Sequence, residues 1–416
     1  TAEKVRDGLL WTDTPPAGFT PIEGQPRPPI ARAARGGARP AGSRPTGSRP
    51  VVFVLPGIMG SHLKRSGSRI WLNLPNLLFG GLKALHIGAD EVMADGPLEG
   101  YYEEVIEFLG RTHEVVPFAF DWRLSLRDEA RRLADQVLAK LDEADRGQQP
   151  VRLFAHSMGG LVVRTMIGDH PEVWARICRH PGGRFLMVGT PNGGSFVIPR
   201  TLFGHDKFLK QLELLDLTNS TKELLKMISK FPGMLEMLPG AGSGFDFFKM
   251  ETWRQFAQAD DKGWVLPDET QLQAALATRS LLDQSPIDPQ RMLYVAGHAP
   301  KTPVALEVDA SANKGERFRF ISTARGDGRV PWETGIPPGV RAWYADCEHG
   351  DLASFEAAFP ALLDLLQTGH TTRLSQTPPA GTRGTERLVL TRDMADAYPD
   401  EQDIAAAALG TRRRRK

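Results

Sequence analysis

The strongest indication of chemistry in the sequence is a serine between an apolar run and a segment with a helical pattern. Ser157 follows the apolar residues 151–155, and the residues two places before and after it, Ala155 and Gly159, are both small. A strand that turns sharply into a helix at a serine exposes the hydroxyl and leaves room only for small neighbours. The pattern A-x-S-x-G therefore predicts a nucleophilic serine. The alternative is a serine that only caps a helix.

A nucleophilic serine needs donors for the negative charge that develops on the substrate oxygen. The loop 55–60 (LPGIMG) follows the first apolar run, and Gly57 would let it pass close to the serine. We predict an oxyanion hole formed by the backbone N–H groups of Ile58 and of Met158, the residue directly after the nucleophile. The alternative is an ordinary Pro-Gly turn.

The base that a serine requires is expected late in the chain, after an acid. His349 follows the strand pattern 340–345, and loops at the carboxyl ends of strands are where open α/β sheets place their sites. We predict His349 as the base and keep His298 as its main rival. His156 adjoins the nucleophile, but we expect chain geometry to point its side chain elsewhere.

Asp327 is the predicted acid, which would orient the imidazole of the base. It stands between two glycines, after the strand pattern 318–323 and before His349. Flanking glycines let the backbone hold a buried carboxylate in a sharp loop. Asp346 and Asp351 are the alternatives.

Three further residues are predicted to contact substrate. Met59 lies in the predicted oxyanion loop, Trp71 is the second residue of the unusually apolar stretch 70–85, and Asn192 lies in the loop 189–194 after a strand pattern. The apolar stretch is either a lid over the site or part of the core. The loop either borders the pocket or is only a turn.

Strand and helix patterns alternate between these motifs. Repeated βα alternation predicts the α/β class, with a mostly parallel sheet and helices on both faces. The predicted strands are 51–55, 115–120, 151–155, 184–188, 292–296, 318–323 and 340–345, and the predicted helices are 101–109, 125–144, 158–167 and 352–366.

The composition excludes several classes of protein. Hydrophobic residues make up 41% of the 416 residues, which is enough for a sizeable core, but no apolar run reaches the roughly 18 residues of a membrane span. The net charge of +1 provides no field for nucleic acid, so we expect no such partner. The cysteines Cys178 and Cys347 cannot form a disulfide framework, and no metal-ligand spacing or phosphate-binding loop occurs. We expect neither a metal nor a cofactor.

A set of short motifs occurs in one order along the chain. They are the residues 56–61 (PGIMGS), 121–123 (DWR), 155–160 (AHSMGG), 189–191 (GTP), 237–239 (MLP), 326–331 (GDGRVP) and 348–349 (EH). Together they resemble the lecithin–cholesterol acyltransferase-like branch of the α/β-hydrolases over about residues 50–370. The resemblance implies an α/β-hydrolase fold, a Ser157–Asp327–His349 triad, and hydrolysis or acyl transfer on lipid esters. The animal enzyme has disulfides, including one near its lid, whereas this chain has two cysteines.

The resemblance and the composition together divide the chain into three parts. Residues 1–50 are predicted to be a flexible Pro-, Gly- and Arg-rich segment, and 371–416 a linker-like basic tail with a short helix near 401–409. Residues 51–370 form the predicted hydrolase domain. Within it, 200–290 is predicted to be a mainly helical cap or lid insertion.

The expected function is that of a serine acyl hydrolase that cleaves lipid-type carboxylic esters through an acyl-enzyme on Ser157. Two alternatives stay open: an acyltransferase that passes the acyl group to an alcohol, and a recognition module of a larger protein. The expected partner is a lipid or another acyl ester, with peripheral contact to a lipid surface left open. Low cysteine content and the lack of a signal-like segment favour a cytoplasmic location. The missing initial Met favours a piece of a longer polypeptide.

Overall fold

The chain builds a parallel β-sheet with helices packed on its two faces. The computed structural model describes residues 49–71, 84–88, 91–204, 220–260, 264–313, 317–379 and 388–390. Nearly all of the predicted flexible N-terminal segment, most of the apolar stretch 70–85 and the predicted helix near 401–409 lie outside the described residues.

The elements are numbered in chain order. The strands are β1 (Val51–Leu55), β2 (Ser61–Arg65), β3 (Ser68–Arg69), β4 (Val92–Pro97), β5 (Glu114–Pro117), β6 (Val151–His156), β7 (Arg184–Val188), β8 (Met292–Ala296), β9 (Thr302–Val308), β10 (Phe318–Thr323), β11 (Arg341–Tyr344) and β12 (Leu388–Leu390). The helices are α1 (Glu99–Gly110), α2 (Leu126–Arg146), α3 (Met158–Asp169), α4 (Pro171–Arg179), α5 (Val197–Leu202), α6 (Thr221–Ile228), α7 (Pro232–Leu235), α8 (Met250–Asp260), α9 (Glu269–Gln284), α10 (Trp332–Gly335) and α11 (Phe359–Thr368).

The central sheet has six strands in the order β11-β8-β7-β6-β1-β5. Every neighbouring pair in it is parallel. This confirms the predicted α/β class and its mostly parallel sheet. No described helix is long and apolar enough to cross a membrane.

Side chains of the central strands alternate between two buried faces. In β1, Val52 and Val54 pack with residues of α1 and α11, whereas Val51, Phe53 and Leu55 pack with residues of α2 and α3. Burial on both faces is the reason that these strands read as continuous apolar runs. It also explains why their positions could be predicted closely from the sequence.

Two predicted elements have different bounds. The strand predicted at 115–120 spans Glu114–Pro117, and beyond it the Phe120 N–H donates to the Ser61 hydroxyl (3.2 Å). The helix predicted at 352–366 starts only at Phe359, after two short 3-10 turns. A proline in the first turn suits this later start, because its missing N–H has no intrahelical partner there.

β10 is a strand, as predicted, but it does not belong to the central sheet. It lies between β9 and β12 in a separate antiparallel sheet. β12 comes from the C-terminal part that was predicted to be linker-like, and residues 371–379 are also bonded to the core: Trp343 Nε1 donates to Thr371 O at 3.2 Å and Tyr344 N–H donates to Ser375 O at 2.9 Å. This part of the chain is therefore held by backbone pairing, which a composition of polar residues and prolines does not reveal.

Helices dominate the described residues between 200 and 290. α6 begins with a capping box, in which the Ser220 hydroxyl and the Glu223 carboxylate each accept from the other's backbone N–H. Further along, the Glu236 carboxylate is almost fully buried and accepts from Ser125 Oγ (2.7 Å), Leu126 N–H (2.6 Å) and Thr278 Oγ1 (2.9 Å). One side chain thus joins this helical segment to the start of α2.

Glu236 generates a prediction about stability. Burial raises the pKa of this carboxyl from 4.5 to about 7. Between these two pH values the folded protein keeps a proton that the unfolded chain releases, so the free energy of unfolding should fall as the pH rises through this window, by roughly 3 kcal/mol. In Glu236→Gln this contribution should vanish, which urea unfolding at about pH 5 and pH 8 measures. An exposed control, Glu251→Gln, should keep the wild-type difference, and the same difference in Glu236→Gln would refute the assignment.

Candidate active site

Ser157 stands at a sharp turn between β6 and α3. Its backbone has φ 52° and ψ −124°, a region that L-residues rarely occupy. Its N–H donates to Val188 O at the end of β7 (2.8 Å), so the turn is tied to the neighbouring strand. The predicted strand–serine–helix order is therefore present, and the serine does not cap the helix with its side chain.

Glycines let other segments approach this turn. A Cβ on Gly57 would lie 3.0 Å from Ser157 Cβ, and a Cβ on Gly159 would lie 2.9 Å from Leu55 Cβ. Contacts this short leave no room for a side chain at either position. The small residues around the serine are therefore required by the close passage of the loop after β1.

His349 connects Ser157 to Asp327. Its Nε2 lies 2.9 Å from Ser157 Oγ, and its Nδ1 lies 2.8 Å from Asp327 Oδ2. Because a carboxylate only accepts, Nδ1 carries the proton, and Nε2 is left to accept from the serine hydroxyl. All three residues are buried. The structure thus brings together three residues that were predicted from separate parts of the chain.

Backbone N–H groups hold the Asp327 carboxylate in place. Oδ1 accepts from Arg329 N–H (3.0 Å) and Val330 N–H (2.8 Å), while Oδ2 accepts from the imidazole. The loop is tied to the end of β8, because Trp332 Nε1 donates to Gly297 O at 2.8 Å. The acid is therefore fixed from both sides, although the strand before it lies outside the central sheet.

The rival residues lie elsewhere. His298 Nδ1 is 3.6 Å from Asp346, whose side chain is 93% exposed, and Asp351 is exposed in the 3-10 turn that begins at His349. Asp327 occupies the Nδ1 position of the imidazole, so neither alternative carboxylate is its partner. His156 Nε2 lies 2.9 Å from the backbone oxygen of His349, in accord with the expectation that this side chain points away from the nucleophile.

The two predicted oxyanion donors belong to residues close to Ser157 in the structure. Ile58 lines a small cavity together with Ser157 and His349. In the part of the chain that the structure describes, no group accepts from the Ile58 N–H. The Met158 N–H is the first of α3, where a helix leaves its donors without intrahelical acceptors. Both groups are suited to a developing oxyanion.

The cavity beside Ser157 is small, with a volume of about 30 Å³. Its lining residues are Ile58, Ser157, Pro191, Ser195, Val197, Ile198, Met237, Arg329, Val330 and His349. Sequence reasoning did not single out Ser195, Val197 and Ile198, which precede the predicted cap insertion, and it did not single out Met237 as a lining residue, although Met237 lies within that insertion.

The three predicted substrate-contacting residues do not line this cavity, within the described part of the chain. Trp71 is buried against Trp122, with ring centroids 5.1 Å apart, and its Nε1 donates to Met59 O at 2.9 Å. Asn192 Nδ2 donates to Gly335 O at 2.7 Å. Trp71 and Asn192 are thus engaged in holding the loops on which Met59 and Pro191 lie.

Other motifs have structural explanations. Arg123 and Asp121 form a buried, bidentate ion pair (2.6 and 2.9 Å), which gives this motif a structural role. Cys178 and Cys347 are free thiols, and burial raises the pKa of both. Among the described residues, no group of three or more His, Cys, Asp or Glu side chains is arranged to hold a metal ion.

The backbone of Ser157 generates a prediction about stability. A residue with φ 52° and ψ −124° costs about 1–3 kcal/mol unless it is glycine. Ser157→Gly should therefore be more stable than Ser157→Ala by about 1 kcal/mol, because both remove the hydroxyl and only glycine relieves the strain. Chemical unfolding of the two variants measures this difference, and an alanine variant of equal or greater stability would contradict it.

Comparison with known proteins gives a family match. The family model of lecithin:cholesterol acyltransferase matches residues 89–275, a stretch that contains Ser157 and ends before Asp327. An uncharacterized protein of Saccharomyces cerevisiae is 24% identical over 182 residues, which are 41% of this chain and 26% of that protein. The match thus spans about a quarter of the length of the yeast relative.

Solved structures of three ester-cleaving proteins are similar over most of the chain. Bacillus licheniformis lipase BlEst2 has 12% identity and a TM-score of 0.38, covering 78% of this chain and 95% of that one. A metagenomic carboxyl esterase has 15% identity and a TM-score of 0.36, covering 83% and 80%. Phospholipase PlaB from Legionella pneumophila has 13% identity and a TM-score of 0.30, covering 70% and 45%.

The fold follows from the chain's own sheet, in which β6 ends at a serine on a sharp turn and α3 begins at the next residue. The family match supports ester chemistry on lipids in general, by hydrolysis or by acyl transfer. The chain is thus similar to the lecithin:cholesterol acyltransferase family over residues 89–275, a little less than half of its length.

Proposed function

We propose that the protein is a serine acyl hydrolase that cleaves lipid-type carboxylic esters through an acyl-enzyme on Ser157. The observation that carries the proposal is the buried chain of hydrogen bonds from Ser157 Oγ through His349 to Asp327. This chain has the order and the tautomer that proton transfer from the serine requires.

The first half of the reaction forms the acyl-enzyme. Ser157 Oγ attacks the ester carbonyl carbon while His349 Nε2 takes the hydroxyl proton. Asp327 keeps the imidazole oriented and stabilises its positive charge. When the tetrahedral intermediate collapses, the bond to the leaving alcohol breaks, and the alcohol oxygen takes the proton from Nε2. The second half repeats these steps with water as the nucleophile, which releases the carboxylic acid and restores the serine.

The oxyanion of each tetrahedral intermediate is assigned to the N–H groups of Ile58 and Met158. The close approach of Gly57 to Ser157 supports this assignment, because it brings the loop after β1 beside the nucleophile. Donors that are already in position need no reorganisation when charge develops. One such donor is typically responsible for about 10²–10³ in rate.

The lining of the cavity supports an apolar acyl group as the substrate. Ile58, Val197, Ile198 and Met237 contribute apolar side chains next to the serine. Since the cavity is small, at about 30 Å³, a long acyl chain is expected to displace some of these side chains when it binds. This would favour the described helices between residues 200 and 290 as a cap over the site.

The nucleophile is tested with a fluorophosphonate probe and p-nitrophenyl esters. The wild type should be labelled, and Ser157→Ala should be unlabelled and slower by roughly 10⁴-fold or more, with its fold retained. Preference for long over short acyl chains would support the lipid assignment. Full activity of Ser157→Ala would refute the serine mechanism. A folded wild type that remains unlabelled even with lipid vesicles would point instead to a recognition module.

The acid is tested with a pair of substitutions. Asp327→Asn should lower kcat by about 10⁴-fold, because the amide no longer selects the Nδ1–H tautomer. Asp346→Asn is the matched control and should change kcat little, since that carboxylate is exposed beside His298. Steady-state kinetics with the same ester measure both variants. A larger loss in Asp346→Asn than in Asp327→Asn would move the acid to Asp346.

Acyl transfer is the second candidate, and the family match favours it. The same acyl-enzyme serves both reactions, which differ only in whether water or an alcohol attacks it. Product analysis with a labelled acyl donor and an added long-chain alcohol separates them. The cytoplasmic location and the contact with a lipid surface stay predictions from the sequence.

A further inference from the structure

A buried tyrosine and a buried histidine outside the proposed triad join its two halves. The Gly57 N–H donates to Tyr102 Oη (2.8 Å), and Tyr102 Oη lies 2.8 Å from His156 Nδ1. His156 Nε2 lies 2.9 Å from the backbone oxygen of His349. Tyr102 and His156 are 3% and 5% exposed, so this chain of bonds excludes water.

The direction of each bond in this chain follows from its ends. The His349 carbonyl can only accept, so His156 Nε2 carries the proton and Nδ1 is an acceptor. Tyr102 must therefore donate its hydroxyl proton to Nδ1, while its oxygen accepts from Gly57. Every donor and acceptor has one partner. Burial and the nearby His349 imidazole also lower the pKa of His156 to about 3, which keeps the ring neutral in this arrangement.

At one end, the chain of bonds sets the orientation of the loop after β1. The Gly57 N–H is held by Tyr102, and the Gly57 carbonyl accepts from Gly60 N–H (3.1 Å). In a trans peptide the carbonyl and the following N–H point in opposite directions. The Ile58 N–H therefore points away from Gly60. A Cβ on Gly60 would lie 2.9 Å from Tyr102 Oη, so the hydroxyl fits closely beneath this turn.

At the other end, the chain of bonds holds the backbone of the proposed base. His349 N–H donates to Asp327 O at 2.8 Å, and its carbonyl accepts from His156. With the backbone fixed on both sides, the imidazole is held at 2.9 Å from Ser157 Oγ. Packing contributes as well, since the rings of His156 and His349 lie 5.0 Å apart.

We propose that Tyr102 and His156 are positioning residues that hold the oxyanion loop and the catalytic base in register with each other. Neither residue touches the reacting atoms. The inference rests on the proposed function, because it needs Ile58 as an oxyanion donor and His349 as the base. It predicts that the two residues act as one unit on the stability of the transition state.

The experiment compares Tyr102→Phe, His156→Gln and the double variant with the wild type, and uses Tyr101→Phe as the matched control. Tyr101 lies next to Tyr102 in α1, and it is not part of this chain of bonds. The readouts are kcat and KM for a p-nitrophenyl ester, and Ki for a trifluoromethyl ketone, which forms a tetrahedral adduct with an activated serine. Titration with the fluorophosphonate measures the concentration of active sites. The kcat of each variant is then calculated per active molecule, so that a smaller folded fraction does not lower it.

Each single variant should lower kcat by about 10–100-fold with KM nearly unchanged, because sub-ångström misplacement acts on the transition state. Ki should rise by the same factor as kcat/KM falls. The double variant should lose no more than the larger single loss, because both substitutions break the same chain. Tyr101→Phe should behave as the wild type.

Three results would overturn the proposal. They are kcat within about threefold of the wild type in both single variants, losses that multiply in the double variant, and a Ki that does not follow kcat/KM. If Tyr102→Phe fails to fold, His156→Gln alone still decides through kcat and Ki. If the fluorophosphonate does not label the wild type, the proposed function itself is refuted. A labelled wild type with unaffected variants overturns only the positioning role.

Discussion

The strained backbone of Ser157 is the constraint on which the rest of the site depends. A residue with φ 52° projects its side chain out of the turn between β6 and α3, but the conformation persists only if the surroundings impose it. They do so through the bond from Ser157 N–H to Val188 O and through the loop after β1 that passes against the serine. The glycines at 57 and 159 follow from this constraint, because any side chain there would push these segments apart.

His349 is the second residue that its surroundings hold in place. All four of its polar groups have hydrogen-bond partners. Its backbone N–H and Nδ1 bond to Asp327, its backbone oxygen bonds to His156, and its Nε2 bonds to Ser157. Complete satisfaction of a buried polar network leaves it one arrangement, since any other leaves a donor or acceptor unpaired. The site is rigid for this reason, although three of its segments are loops.

Much of this arrangement could be predicted because its signals are local. A buried parallel strand is a short apolar run, and the turn at Ser157 needs small residues at fixed offsets, so β1, β6, β7 and β8 were predicted nearly to the residue. His349 and Asp327 could be selected by chain order, since the roles follow a fixed sequence in this fold.

The features that were not predicted depend on long-range contacts, which no local sequence pattern reveals. The apolar residues Val197 and Ile198 have no local pattern that distinguishes them from core residues, and their place in the lining of the cavity beside Ser157 depends on how the segment after β7 packs. For β10 no clear signal was present, because Arg319 is the only partly exposed residue of the strand and residues 320–323 are all buried. Its burial pattern therefore lacks the alternation that is typical of an antiparallel strand with one solvated face. The bonds of Tyr102 join residues 45 and 54 positions apart and leave no trace in spacing.

The position of β12 has a consequence for the order in which the molecule is completed. β10 leads into the loop of Asp327, and one of its two edges is closed by Leu388–Leu390, some sixty residues further on. Synthesis runs from the N-terminus, and elements fold as they become available. Ser157 and His349 are therefore already synthesised before β12 can complete the antiparallel sheet that contains β10. Until then β10 presents a row of unpaired backbone groups, the kind of edge on which other chains can dock.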